Sequence, residues 1–405
     1  MSAAGSDFVA RALLTRRIVV CVGCGGVGKT TVAAALALEA ARRGRRALVL
    51  TIDPARRLAD ALGTGPLGGE PRALPEAELR ALGVPPDGSL SAVTLDMKRT
   101  FDGLVERLND SAEARKRVLE NPIYQHLSDA LAGSLEYSAM EKVYELYERR
   151  EFDLVVVDTP PSQHALDFLE APTRLIEFLD SPIVHMLIHP AFSAGRLSFK
   201  LFQRGTRRVL QLIERVSGLS FLEDLSEFLL AFEGMAEGFR DRARKVRELL
   251  VSRESAFVLI AGPSPQSVPQ AEEFLARLET HRVPLAGLVL NRMHLWPGTA
   301  APLELSEREL PGHQGALARA LTGTGLEADA AAVAARAALE MATGYAALVR
   351  RDGEAVRPLE VRALSAGRFV VQVPELGDDV HDLAGLARVA EHMLQGEQRE
   401  GAGRG

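Results

Sequence analysis

Residues 23–30 read Gly23-Cys24-Gly25-Gly26-Val27-Gly28-Lys29-Thr30, and the run leading into them, Arg16–Gly23, reads RRIVVCVG. The octad satisfies G-x-x-x-x-G-K-[ST]. Its surroundings fit as well. The apolar, β-branched run before it predicts a buried parallel strand that stops at the glycines. Lys29–Arg43 is Ala/Leu-rich and predicts a helix ended by Gly44. A strand that turns through glycines into a helix has an electrostatic use. Without Cβ atoms the backbone curls until successive N–H groups point inward at an anion, and the helix N-terminus adds partial positive charge. Gly25, Gly26, Val27 and Gly28 would form the cradle. Lys29 is placed to bridge β- and γ-phosphates, the Thr30 hydroxyl to ligate magnesium, and Thr31 to reach the α-phosphate.

Outward from this loop, short apolar strands at Ala47–Ile52, Asp153–Val157, Ala256–Ala261, Leu285–Leu290 and Phe369–Val373 alternate with helical stretches. That alternation predicts an α/β fold of the P-loop NTPase class: a mostly parallel sheet covered by helices on both faces. The expected partition is a first core segment over 1–97 and a helical insertion over 98–150. Core follows over 151–180, and a helical subdomain over 181–252. A second core part spans 253–394 and contains an Ala-rich helical insertion, 299–361, broken at Thr322–Gly325. Gly63–Gly88 reads as a long loop with one short helix near Pro75–Leu82, and the polar tail 395–405 as disordered.

Two carboxylates belong to the same edge. Asp158 ends the strand Asp153–Val157, the Walker B position, where a carboxylate holds magnesium, usually through water. The plainer alternative is a strand-ending Asp that caps Thr159–Ser162. Asp53 follows the second strand in Thr51-Ile52-Asp53-Pro54-Ala55-Arg56. Parallel strands share one C-terminal edge, where ligands of open α/β sheets bind. Asp53 there is placed to orient or deprotonate an attacking water, and equally to cap a helix beginning at Pro54. The expected ligands are ATP and Mg2+, and the expected reaction is hydrolysis of ATP to ADP and phosphate, with Lys29 and Asp53 as its catalytic residues.

Bulk properties narrow the surroundings. The chain has 405 residues, 47% hydrophobic and 25% charged, as in ordinary soluble proteins. A formal net charge of −6 gives no overall pull toward nucleic acid or anionic lipid. Two cysteines, Cys21 and Cys24, exclude a disulfide framework and fit a reducing compartment, so the cytoplasm is the expected location. The N-terminus lacks the basic start and apolar core of a signal peptide. No run of about 18 uninterrupted apolar residues predicts a membrane span.

Taken together, the motifs resemble those of the deviant Walker A ATPases, whose loop normally reads G-K-G-G-x-G-K-[ST]. Asp53-Pro54-Ala55-Arg56 and Asp158-Thr159-Pro160-Pro161-Ser162-Gln163-His164 are similar to switch I and switch II of the arsenical-pump-driving and tail-anchored-protein-targeting ATPases (the ArsA/Get family). Leu288-Val289-Leu290-Asn291-Arg292 resembles that family's adenine-reading strand. Val373-Pro374-Glu375-Leu376 with Asp378–Leu386 resembles its last motif. The resemblance implies that Asn291 hydrogen-bonds adenine, that Pro374 borders the base, and that His164 moves with the γ-phosphate. On the residues alone, Asn291 is also a polar strand end and His164 a capping or core histidine.

The resemblance further implies a dimer whose nucleotide state exposes or hides an apolar groove for a client helix or a membrane-protein partner. Apolar residues of Ile183–Phe202 and Phe221–Phe239 suit such a groove, and equally suit core packing. One position departs from the pattern. Cys24 stands where the family has a lysine that reaches the partner's phosphates. A homodimer would then be slow unless another cation, such as Arg56 or Arg57, substitutes. Alternatively, a lysine-bearing paralogue completes the site in a heterodimer, with this chain as a low-activity nucleotide-binding subunit. A regulator of metabolism or transport without a membrane client also fits. Cys21-Val22-Gly23-Cys24 is formally C-x-x-C, but Cys21 falls inside the expected strand and no second pair exists, so zinc and arsenite roles are not expected.

Overall fold

The computed structural model describes residues 15–53, 57–109, 111–121, 124, 135–160, 173, 177, 235, 237–280, 283–297 and 310–402. Eight strands form one sheet: β1 (Ile18–Gly23), β2 (Arg46–Thr51), β3 (Arg72–Ala73), β4 (Ser89–Thr94), β5 (Leu154–Asp158), β6 (Ser255–Ala261), β7 (Leu285–Met293) and β8 (Phe369–Pro374). Their order is β3-β4-β2-β5-β1-β6-β7-β8. Every pairing is parallel except β3 with β4 at one edge. The two-residue β3 lies in the stretch expected as loop. A strand this short carries no alternation by which a sequence could reveal it.

The described helices are α1 (Lys29–Arg42), α2 (Arg57–Ala61), α3 (Glu76–Ala81), α4 (Met97–Leu108), α5 (Ala112–Leu119), α6 (Leu135–Arg149), α7 (237–251), α8 (Ser267–Thr280), α9 (Leu310–Gly323), α10 (Ala328–Ser365) and α11 (Leu383–Ala402). Most of the expected 181–252 subdomain, with the Ile183–Phe202 segment and nearly all of Phe221–Phe239, lies outside the described residues. From the second segment, Met235 and Phe239 are buried.

Alternation along the strands builds two cores. Val49 joins Leu36 of α1, Ile260 of β6 and Leu386 of α11 on one face. Its neighbours Leu48 and Leu50 join Met140 of α6, Leu250 of α7, Phe274 of α8 and Leu359 of α10 on the other. Strands buried on both faces need the continuous apolar runs that were visible in the sequence.

The C-terminal third corrects some boundaries. The break at Thr322–Gly325 separates α9 from α10, with Gly325 at φ 100. Helix α10 continues past Val361 to Ser365, with Pro358 inside it. The polar tail expected to be disordered from Gln395 instead continues α11 to Ala402. Gln, Glu and Arg are good helix formers, and a single glycine costs a helix only about 1 kcal/mol, too little to end one already docked. Helix α10 is the one described helix long and apolar enough to cross a membrane by length and composition. Its second half packs on β7 and β8, and its first half, with Val333 and Met341 exposed, pairs with α9.

Gly23 closes β1 at φ 152, and a Cβ there would lie 2.1 Å from the Ile260 carbonyl oxygen of β6. A backbone carbonyl inside a sheet cannot swing aside as a side chain does. Gly23→Ala is therefore expected to destabilise the protein by about 2 kcal/mol or more, the cost of overpacking a core. Urea unfolding of the two proteins measures the difference, and equal midpoints would contradict the close approach.

Candidate functional site

Parallel register brings the polar strand ends to one level. Cys21 pairs with Asp158, and Asp158 with Thr51. The chain leaves β1 through Gly26 (φ 76) and Gly28 (φ 85), both in the left-handed region open to glycine, and enters α1 at Lys29. The loop carbonyls are engaged from inside the protein. Lys29 Nζ donates to the Cys24 carbonyl at 2.7 Å. Asn291 Nδ2 donates to the Val27 carbonyl at 2.8 Å. A Cβ at Gly28 would sit 2.3 Å from that same Asn291 nitrogen, so any side chain there would displace the amide that supports the loop and would also hold an unfavourable φ.

Beside the loop lies a cavity of about 700 Å³, lined by Gly26, Gly28, Lys29, Thr30, Thr31, Asp53, Arg57, Asp60, Thr159, Arg292 and His381, among others. Of the residues singled out from sequence, Lys29, Thr30, Thr31 and Asp53 therefore share one chamber with two of the loop glycines. Asp158 stands one layer behind, 1% exposed. Asn291 supports the loop from behind, and Pro374 ends β8 opposite Met293. Pro54, Ala55, Arg56 and His164 lie outside the described residues.

Electrostatics separate these groups. The Thr51 hydroxyl donates to Asp158 Oδ2 at 3.0 Å. The other oxygen, Oδ1, is buried without a hydrogen-bond partner. Burial pushes the Asp158 carboxyl up to about 6, against the opposing pull of the Thr30 and Thr51 hydroxyls and the Lys29 ammonium. A buried carboxylate oxygen without a donor beside a threonine hydroxyl fits a hydrated magnesium ion, whose waters donate and whose charge favours ionisation. Burial lowers the Lys29 ammonium's pKa while Asp158 raises it. Cys24 is different: burial raises its thiol, which lies 3.9 Å from the Ser267 carbonyl. It contributes no positive charge.

Several roles at the site escaped the sequence reading. Thr51 was visible only as the end of a strand. Thr159 anchors β5 to β1 by donating its hydroxyl to the Cys21 carbonyl at 2.8 Å. Arg292 was read only as the neighbour of Asn291. It holds a left-handed backbone at φ 62 without being glycine, which in a chain interior marks a position fixed by its surroundings.

The Asp158 shift has a stability consequence. Unfolded, the group ionises near 3.8; folded, near 6. Between those values the folded protein holds a proton that the unfolded chain has released. Stability from this group therefore falls as pH rises through about 4 to 6 and stays low above, by up to about 3 kcal/mol. In metal-free buffer Asp158→Asn is expected to be more stable than wild type at neutral pH, with a flatter profile between pH 4 and 6. Thermal melts across that range measure it, and a mutant less stable at neutral pH would contradict the burial argument.

Comparison with known proteins agrees with this architecture. The family model for anion-transporting ATPases matches residues 16–302. An ATPase get3 from Schizosaccharomyces japonicus is 27% identical over 289 residues, covering 71% of this chain and 78% of its own. ATPase GET3B from Arabidopsis thaliana is 30% identical over 295 residues, covering 67% of this chain and 62% of its own. A putative arsenical pump-driving ATPase 2 from Aquifex aeolicus is 25% identical over 279 residues, covering 67% and 78%. Strand β8 and helices α9 to α11 lie beyond the family match but complete the same sheet and its cover. With a family match over most of its length and a phosphate-loop site at the expected sheet edge, the chain belongs to the anion-transporting ATPase (ArsA) family and is an ATPase.

Proposed function

We propose that this ATPase is a magnesium-dependent switch whose nucleotide state rearranges a dimer and thereby changes its hold on a partner protein or an apolar client helix. The observation that carries the nucleotide part is the meeting of Lys29, Thr30, Thr31 and Asp53 on one cavity, with the half-satisfied carboxyl of Asp158 directly behind. Magnesium would be held by Thr30 and, through water, by Asp158, and would supply charge neutralisation at the phosphates. The loop N–H groups fix the phosphate chain. Lys29, already within the loop, needs only to exchange the Cys24 carbonyl for phosphate oxygens. Asp53, at the cavity wall, orients the attacking water or takes its proton. Asn291 and Pro374 would border the base.

The dimer and the client rest on the family resemblance. The partner is a second copy of the chain or a paralogous ATPase. The heterodimer reading, with this chain as a weakly active subunit, draws on one observation, the uncharged thiol of Cys24 where the trans lysine is expected.

Two substitutions test the chemistry. Lys29→Ala is expected to abolish ATP binding or turnover. Asp53→Asn is expected to keep ATP binding and lose turnover by at least about a hundredfold. Equilibrium binding and phosphate release measure both. Unchanged affinity and turnover in Lys29→Ala would overturn the phosphate-loop assignment, and near-normal turnover in Asp53→Asn would move the water-activating role elsewhere.

A further inference from the structure

The transition state of phosphoryl transfer gains from a cation placed at the γ-phosphate, and Cys24 cannot provide one. Among the described residues, three Lys or Arg side chains line the cavity: Lys29, Arg57 and Arg292. Arg292 follows Asn291 and lies near Glu375, at 3.9 Å, on the β7–β8 side. Arg57 belongs to the opposite wall. It lies four residues beyond Asp53 in the chain, 3.6 Å from the Asp53 carboxylate, and its side chain is 62% exposed. It also lies close enough to Lys29 to disfavour that ammonium. Its guanidinium therefore lies near both groups that address the terminal phosphate. The ion pair with Asp53 is long and open to solvent on the arginine side, which weakens it. A phosphate offers the guanidinium fork a stronger, bidentate partner.

We propose that Arg57 is a catalytic residue that supplies, within its own subunit, the γ-phosphate cation that Cys24 does not. The proposal rests on the nucleotide site described above and deepens it. Turnover then needs no lysine from a partner, and a homodimer or a single chain has a complete site. Arg57 leaves Asp53 for the transferring phosphoryl group as negative charge builds on its equatorial oxygens. The Asp53 carboxylate then turns to the attacking water.

The test compares wild type, Arg57→Ala, Arg57→Lys and Lys29→Ala as full-length chains, in ATP turnover and in affinity for ADP and for ADP with aluminium fluoride. An interaction made only in the transition state lowers kcat and kcat/KM together. Arg57→Ala is expected to lose about 10³-fold or more in kcat, to bind ADP as wild type does, and to lose the extra affinity for ADP with aluminium fluoride. Arg57→Lys keeps the charge without the fork and is expected between the two. Truncating so exposed a side chain leaves no cavity, and coincident thermal melts check that the fold is intact.

Mixing decides where the group acts. A mixture of Arg57→Ala with Lys29→Ala stays inactive if Arg57 serves its own subunit. Recovered activity would assign Arg57 to the neighbour's nucleotide and overturn the proposal, as would a kcat of Arg57→Ala within about threefold of wild type. Normal turnover in Lys29→Ala would strike at the phosphate-loop reading itself. A normal Arg57→Ala beside an inactive Lys29→Ala would strike only at Arg57.

Discussion

Parallel register among three central strands sets the chemistry of this molecule. Cys21, Thr51 and Asp158 lie level across β1, β2 and β5, so a carboxyl at the end of one buried strand meets a hydroxyl from the next and the loop leaving the third. A shift of one residue in β5 would turn Asp158 to the opposite face, and one in β2 would take Thr51 away from it. That register is enforced by apolar side chains packed on both faces, with Leu48 and Leu50 on one core and Val49 on the other. The hydrophobic effect thus fixes the position of a charge that the same burial disfavours.

The loop is held by contacts beyond its own backbone. Glycines give its path, but support comes from outside it: the Asn291 amide on the Val27 carbonyl, and, on the strand that leads into it, the Thr159 hydroxyl on the Cys21 carbonyl. With the Cys24 and Val27 carbonyls engaged by Lys29 and Asn291, the loop is free to turn N–H groups toward the cavity. This is preorganisation: the dipoles are aimed before charge arrives, so little reorganisation remains at the moment of reaction.

Some of this was legible in the sequence and some was not, for physical reasons. The strand, loop and helix at Ile18–Arg42 could be read because each signal is local: an apolar run, glycines at fixed offsets, an alanine-rich helix. The C-terminal strand edge followed from parallel topology, which is why Asp53 and Asp158 could be placed beside the loop before any coordinates. Contacts set by strand order were hidden. Nothing local tells Thr51 that its neighbour is Asp158, or tells Asn291 that it faces Val27, 264 positions away. Two-residue β3 was too short to show a period, and the glycines of the last eleven residues suggested disorder where α11 continues.

The order of the strands also bears on how the chain is made. Of the strands in the sheet β1 is made first, yet its two neighbours are β5 and β6, which follow only after α6 and after α7 respectively. Until then the fully apolar run Ile18–Val22 has no edge to pair with. A β-branched apolar run that waits for its partners is exposed to self-association meanwhile. Because the sheet closes around its oldest strand, nucleotide-binding competence arrives late and all at once. Partially translated chains would be without a phosphate site, and the folding of this protein is dominated by contacts between distant parts of the sequence.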